Sequence, residues 1–159
     1  MNTNKIKMLA MDIDGTLTDG KIYTSVQGEI MKAFNVKDGY AIANILPKEN
    51  ILPVIITGRK SKIAAIRAAE LNISEIHQGV SDKLSLLKRT AEKYNIEQQE
   101  IAYIGDDLND IDCMIFCGLA ACPSDASDQT KKCADYICKL SGGEGAVREF
   151  IDFIIKTKK

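Results

Sequence analysis

The stretch Lys5-Ile-Lys-Met-Leu-Ala-Met-Asp-Ile-Asp-Gly-Thr-Leu-Thr-Asp19 constrains this chain more than any other. Its apolar run, Ile6 to Met11, reads as a short strand buried on both faces, as in a parallel sheet. The run ends in two carboxylates, Asp12 and Asp14. Delivering charge at the end of a buried strand is costly unless a cation or a substrate meets it there. In open α/β sheets that edge is where ligands bind. Both carboxylates must face one site although they lie two residues apart, so the chain has to bend just after Asp12, and Gly15 allows the bend.

Strand and helix signals then alternate to the end of the chain. Further strands are predicted at Ile51 to Thr57, with Pro53 near its start, at Ile73 to Gln78 and at Ile101 to Gly105. Short strands are expected at Leu119 to Cys122 and Tyr136 to Cys138. Helices are expected from Lys62 to Leu71, behind a Ser81-Asp82 cap with Leu84, Leu87, Ala91 and Tyr94 on one face, after Asp110 through Phe116, and near Ala126 to Cys133. A closing helix, Gly145 to Lys156, shows Val147, Phe150, Ile151 and Ile154 on one face. Gly20 to Phe34 reads as a β-hairpin turning near Gln27-Gly28; Asn35 to Gly39 reads as a loop, and Tyr40 to Leu46 as a short helix stopped near Pro47. The alternation predicts an α/β fold, a doubly wound, Rossmann-like parallel sheet with helices on both faces and a protruding hairpin. Without repeats, low-complexity stretches or linkers, residues 1–159 are expected to form a single domain.

Charge is nearly balanced, 21 Lys and Arg against 22 Asp and Glu, and is spread along the chain. That distribution argues against a nucleic-acid partner and against a membrane-binding helix. The first residues lead directly into the first strand, leaving no room for a signal peptide, and no apolar run approaches a membrane span. The expected location is cytoplasmic. The five cysteines contain no C-x-x-C pair, and the only histidine is His77. Small buried hydrophobes describe these cysteines better than metal ligands or a disulfide framework.

Several stretches carry chemistry. Asp12 can attack phosphorus, Asp14 can move protons, and both are hard oxygen ligands suited to Mg²⁺; an acidic turn after an ordinary strand is the plainer alternative for the bare D-x-D. Thr57-Gly58-Arg59 follows a strand, where a hydroxyl and backbone N–H groups can cradle phosphate oxygens; a simple turn is the plainer alternative. Lys83 falls in the first turn of a helix, where a cation opposes the helix dipole. A solvated lysine is the commoner explanation there; the placement gains a reason if Lys83 faces a phosphate and the Asp12 carboxylate. In Gly105-Asp-Asp-Leu-Asn-Asp110 three carboxylates follow a buried strand and repel one another unless some bind a cation.

In order and spacing, D-x-D-G-T, I-T-G-R, the lysine and G-D-D-x-x-D resemble the four motifs of the haloacid dehalogenase superfamily of phosphotransferases. The resemblance implies Asp12 as nucleophile and Asp14 as general acid and base. It implies Thr57 and Lys83 as phosphate binders, and Mg²⁺ held by Asp12, the Asp14 carbonyl and Asp106, with Asp107 and Asp110 in support. The gaps between motifs hold no cap domain, so the site is open unless the substrate is large or another subunit supplies walls.

The pieces D-G-K-I-Y, F-N-V-K-D-G-Y, I-T-G-R-K-S, Q-G-V-S-D-K, Y-I-G-D-D and G-G-E-G-A-V-R-E resemble the family of 3-deoxy-D-manno-octulosonate 8-phosphate phosphatases. That family implies a small phosphorylated sugar acid as substrate and a homotetramer in which hairpins pack together and neighbours complete each site. Gly58, Arg59, Lys60, Arg67 and Arg148 are the candidate substrate binders, arginine being suited to bidentate carboxylate recognition. Gly142-Gly143 reads as a flexible segment near the site or as a turn. The same scaffold serves phosphatases of nine-carbon sialate-type 9-phosphates, many with Glu where Arg59 stands. Cys138-Lys-Leu-Ser-Gly-Gly and Arg148-Glu-Phe also resemble the phosphatase-like domain fused to CMP-sialate synthetases, which leaves a non-catalytic oligomerisation or regulatory module as a third reading.

Overall fold

The computed structural model describes residues 3–158. Six parallel strands form one sheet in the order β5-β4-β1-β6-β7-β8: β1 (Met8–Met11), β4 (Leu52–Thr57), β5 (Glu75–Gln78), β6 (Ile101–Ile104), β7 (Leu119–Cys122) and β8 (Tyr136–Ile137). The chain runs outward from β1 through β4 to β5, then crosses back to β6 on the other side of β1. The direction of winding therefore reverses between β1 and β6, the position where such sheets open a crevice at their carboxyl edge.

Register makes that crevice sharp. Met8 aligns with Leu52 and Ile101, and Met11 with Ile55 and Ile104, so the loops after β1 and β6 leave the sheet side by side. Side-chain alternation divides the core between the two faces. Leu9, Met11, Ile55 and Ile104 pack beneath α1 (Val36–Tyr40), α2 (Lys62–Glu70) and α6 (Ala146–Thr157), with Phe150 and Ile154 of α6 fully buried. Met8, Ala10, Ile56 and Tyr103 pack beneath α3 (Lys83–Lys93) and α4 (Ile111–Phe116), against Leu87, Cys113 and Met114. A short α5 (Asp128–Cys133) leads to β8.

Pro53 is tolerated inside β4 for a local reason. It aligns with Leu9 of β1, whereas pairing with β5 begins only at Val54, so no strand on the other side needs its missing N–H. All five cysteines are free, and burial pushes the thiols of Cys113 and Cys117 up to about 12. Cys113, Cys122 and Cys138 are buried as small hydrophobes, as expected, while Cys117 and Cys133 are half-buried at the edge of the core. The hairpin is β2 (Tyr23–Ser25) and β3 (Gly28–Met31), a separate antiparallel pair.

The segment between hairpin and β4 differs from expectation. Asn35 to Gly39 is not a loop: Asn35 caps α1 by accepting from the Lys37 N–H at 2.8 Å. The chain continues as a wide π turn over Ala41–Ile45 and a tight 3₁₀ turn over Leu46–Glu49, with Pro47 in its first turn, where a missing N–H is harmless. Pro47 therefore does not stop the helix; Asn50 does, in left-handed conformation at φ 55°. Tertiary packing overrides the weak propensity of Asp38 and Gly39. Gly39 leaves room for the Arg67 guanidinium, and the buried Asp38 carboxylate accepts from the Arg148 N–H of α6 at 2.7 Å. Asp38 thus caps a helix whose own N-cap, Gly145, has no side chain to do so.

The core of α6 makes a direct test. Phe150→Ala should cost about 3–5 kcal/mol of unfolding free energy, read as a shift of the urea midpoint at constant slope.

Candidate active site

The site forms where β1, β4 and β6 end and α3 begins. Beyond Met11 the chain carries Asp12 outward and then turns sharply, the N–H groups of Thr16, Leu17 and Thr18 all donating to the Ile13 carbonyl. Gly15 sits at φ +99° with its Cα against the Asp106 carboxylate; a Cβ there would lie 2.0 Å from Asp106 Oδ2. The bend read from the sequence is therefore also a close approach that only glycine permits.

Three carboxylates converge. Oxygens of Asp12, Asp106 and Asp110 lie within 4.8 Å of one another. Lys83 Nζ donates to Asp12 Oδ1 and Asp110 Oδ1, both at 2.7 Å, from a side chain that is almost wholly buried. Asp110 is occupied on both oxygens: Tyr103 OH donates to Oδ1 at 2.6 Å, and the N–H groups of Asp106 and Asp107 donate to Oδ2 at 3.2 and 3.4 Å. Thr16 Oγ1 donates to Asp106 Oδ1 at 3.0 Å. Asp12 and Asp106 therefore remain the better cation ligands, and Asp110 fixes Lys83 and the loop. Hard oxygen donors this close fit a divalent ion such as Mg²⁺.

Electrostatics agree. Burial, and then the Asp110 charge, push the Asp12 carboxyl up to about 6, with Lys83 opposing. Burial and the charges of Asp12 and Asp110 push Asp106 up to about 7. Lys83 is held above its ordinary value: burial alone would lower it, and the two carboxylates outweigh that.

Other residues singled out from the sequence divide into two groups. Thr57 is buried at the end of β4, where its Oγ1 accepts from the Arg59 N–H at 3.4 Å. Gly58 faces Val80 and Asn109, Lys60 lies over Gly79, and Arg59 Nε is 3.7 Å from Asp14 Oδ2. Arg67 and Arg148 are engaged elsewhere in the same chain. Arg67 pairs with Glu70 at 2.9 Å and lies over the Phe34 ring; Arg148 pairs with Asp152 at 2.9 Å and lies over Tyr40. Asp107 contributes its backbone to the Asp110 cap. Gly142-Gly143 is a turn against the Asp12 loop: the Gly143 N–H donates to the Thr16 carbonyl at 3.1 Å.

Sequence reading missed Thr16, Tyr103 and Lys32. Lys32, from the end of the hairpin, forms a buried ion pair with Asp14 and lies 3.0 Å from Glu29. The E-x-x-K spacing was the available signal for that last pair.

These shifts fix a sign. A carboxyl with a raised folded-state pKa binds its proton more tightly when folded, so stability falls as that proton is lost. For Asp12 and Asp106 the window runs from the ordinary value of 3.8 to about 6 and about 7. Protein treated with a chelator should lose stability as pH rises from about 4 to about 7, and added Mg²⁺ should restore it most at the upper end. Thermal unfolding across that range with and without the ion checks this.

Residues 40–151 match the haloacid dehalogenase-like hydrolase family. Over 150 residues the chain is 43% identical to 3-deoxy-D-manno-octulosonate 8-phosphate phosphatase KdsC of Escherichia coli K12, covering 94% of this chain and 79% of that protein. Among solved structures, the Moraxella catarrhalis phosphatase of the same name, in complex with magnesium ion, phosphate ion and KDO, superposes with TM-score 0.94 at 42% identity, covering 98% of this chain and 89% of that one. The cobalt-bound Haemophilus influenzae enzyme gives TM-score 0.95 at 31% identity, over 99% and 92%. The chain belongs to the haloacid dehalogenase-like hydrolases, and within them to the family of the 3-deoxy-D-manno-octulosonate 8-phosphate phosphatases.

Proposed function

We propose that this protein is a Mg²⁺-dependent phosphatase that converts 3-deoxy-D-manno-octulosonate 8-phosphate to 3-deoxy-D-manno-octulosonate and phosphate through an aspartyl-phosphate on Asp12. The observation that carries this reading is the Asp12 carboxylate. It stands at the winding reversal, with Oδ1 held by Lys83 and the Asp106 carboxylate close by.

In this mechanism Asp12 attacks phosphorus as the bond to the sugar oxygen breaks, and Asp14 gives that oxygen a proton. Asp14 then takes a proton from water, which attacks the phosphorus of the aspartyl-phosphate and releases phosphate with Asp12 restored. Lys83 sets a fixed positive charge between the anionic nucleophile and the anionic substrate, and Thr57 offers its hydroxyl to the phosphate. Asp12, Asp106 and the Asp14 carbonyl would hold Mg²⁺, which supplies charge that draws phosphate oxygens toward Asp12 and offsets carboxylate repulsion. Arg59, half exposed with only long contacts, is the cation best placed to receive the sugar's carboxylate. Its presence favours the eight-carbon substrate over the nine-carbon one.

The hairpin supports assembly. Ile22, Val26, Ile30 and Met31 are exposed on a two-stranded ribbon. An isolated ribbon of this kind is marginal in water, so packing against other copies gives it a reason to persist. The assembly implied is a homotetramer whose neighbours wall the open sites.

Phosphate release from the eight-carbon 8-phosphate, beside N-acetylneuraminate 9-phosphate and hexose phosphates, tests the substrate. A kcat/KM preference of about tenfold or more for the first supports the reading; preference for the second moves the protein to the sialate branch. Asp12→Asn should abolish turnover and leave circular dichroism unchanged; retained turnover would remove the nucleophile assignment. Ile22→Asp with Ile30→Asp should lower the mass seen by light scattering, and an unchanged mass would remove the hairpin interface.

A further inference from the structure

The hairpin does more than offer an apolar surface. Its β3 strand and the residue that follows place two charged side chains, Glu29 and Lys32, against the loops of the same chain's site. The Lys32 side chain is almost wholly buried, at 1% exposure, although its backbone lies at the base of a protruding element. Its ammonium forms an ion pair with Asp14 Oδ1 and lies 3.0 Å from Glu29 Oε1. Glu29 in turn accepts from the Ser61 hydroxyl, and Ser61 caps α2 by accepting from the Ala64 N–H at 3.1 Å. Burial disfavours a charged Glu29, yet the hydrogen bond from Ser61 and the adjacent Lys32 ammonium keep its carboxyl below the usual range.

Asp14 needs such an anchor. It sits in the sharp turn after β1, and the contacts that hold its carboxylate come from Lys32 and, at 3.7 Å, from Arg59. Arg59 is half exposed and is the residue given to the substrate above, so it cannot fix Asp14 throughout turnover. A buried lysine with two carboxylate partners is expensive to desolvate and retains its place only through both partners. Lys32 is tied through Glu29 and Ser61 to the start of a helix, which makes its position independent of the bound sugar.

We infer that Lys32 is a positioning residue for Asp14, holding that carboxylate toward the leaving oxygen, and that the hairpin is therefore part of the active site of its own subunit. This rests on the assignment of Asp14 as the proton donor and acceptor. Glu29 acts at one remove, by fixing Lys32.

The two roles of a leaving-group acid and of general structural support separate by substrate. An alkyl phosphate such as the sugar 8-phosphate needs its leaving oxygen protonated, whereas p-nitrophenyl phosphate releases a stable phenolate without help. kcat/KM reports the steps through transfer to Asp12, the step in which that proton is delivered. Lys32→Met should lower kcat/KM for the sugar phosphate by about tenfold more than for p-nitrophenyl phosphate, and Lys32→Arg should recover most of the difference. Thermal midpoint and light-scattering mass accompany each variant. Lys32→Gln, read in the same way, replaces Lys32→Met if the latter does not assemble. Equal losses on both substrates, or no loss, would overturn the inference. Wild-type failure to turn over either substrate would instead overturn the phosphatase reading itself.

Discussion

Everything at the carboxyl edge of this sheet hangs on the Lys83 ammonium. Each of its surroundings taken singly is unfavourable: a helix N-terminus repels a cation, and burial strips its water. The Asp12 and Asp110 carboxylates, each at 2.7 Å, reverse the balance. Through Asp110 the same charge reaches Tyr103 in β6 and the backbone of the acidic loop, so β1, β6 and α3 meet at one nitrogen. Removing the ammonium would leave two buried carboxylates uncompensated, a cost on the order of 3–5 kcal/mol before any chemistry is considered. Stability and reactivity are therefore not separate properties of this site. The arrangement that holds the Asp12 carboxylate, the proposed nucleophile, also keeps the strand ends together.

The repulsion that Lys83 leaves unresolved has a use. Asp12 and Asp106 resist ionisation because burial and Asp110 act on both. A divalent ion relieves that resistance in one step, so affinity for the ion and relief of strain in the fold are the same free energy. The loop after β1 is correspondingly rigid, with three N–H groups converging on one carbonyl and Gly15 pressed against Asp106.

How much of this was legible in the sequence follows from which forces leave a pattern. Strands β1, β4 and β6 announced themselves because burial on both faces demands apolar runs, and the carboxylates stood out because charge is rare at the end of such runs. The four motifs fell where the topology gathers them. Tyr103 and Thr16 were invisible for the opposite reason: a tyrosine within Ile-Ala-Tyr-Ile and a threonine in a turn are ordinary until a carboxylate is found beside them. Asn35 to Gly39 was misjudged as a loop because its helical geometry is held by the Asp38 carboxylate meeting the backbone of α6 and by Gly39 admitting the Arg67 side chain of α2, not by local preference. Arg67 and Arg148 were singled out by residue type alone. Their helical partners Glu70 and Asp152, three and four residues on, were readable as the competing engagement.

The Gly142-Gly143 turn has a further consequence. A Cβ at Gly142 would lie 1.9 Å from the Gly15 carbonyl oxygen, so two loops distant in the chain touch main chain to main chain. The Gly143 N–H bond to Thr16 closes the same contact. No side chain stands between them to hop rotamer and absorb a displacement. The segment that leads into the closing helix is thus coupled main chain to main chain with the loop that carries Asp12. Because the bond to Thr16 has to break before the Gly143 N–H exchanges, its exchange rate should report opening of the loop that carries Asp12.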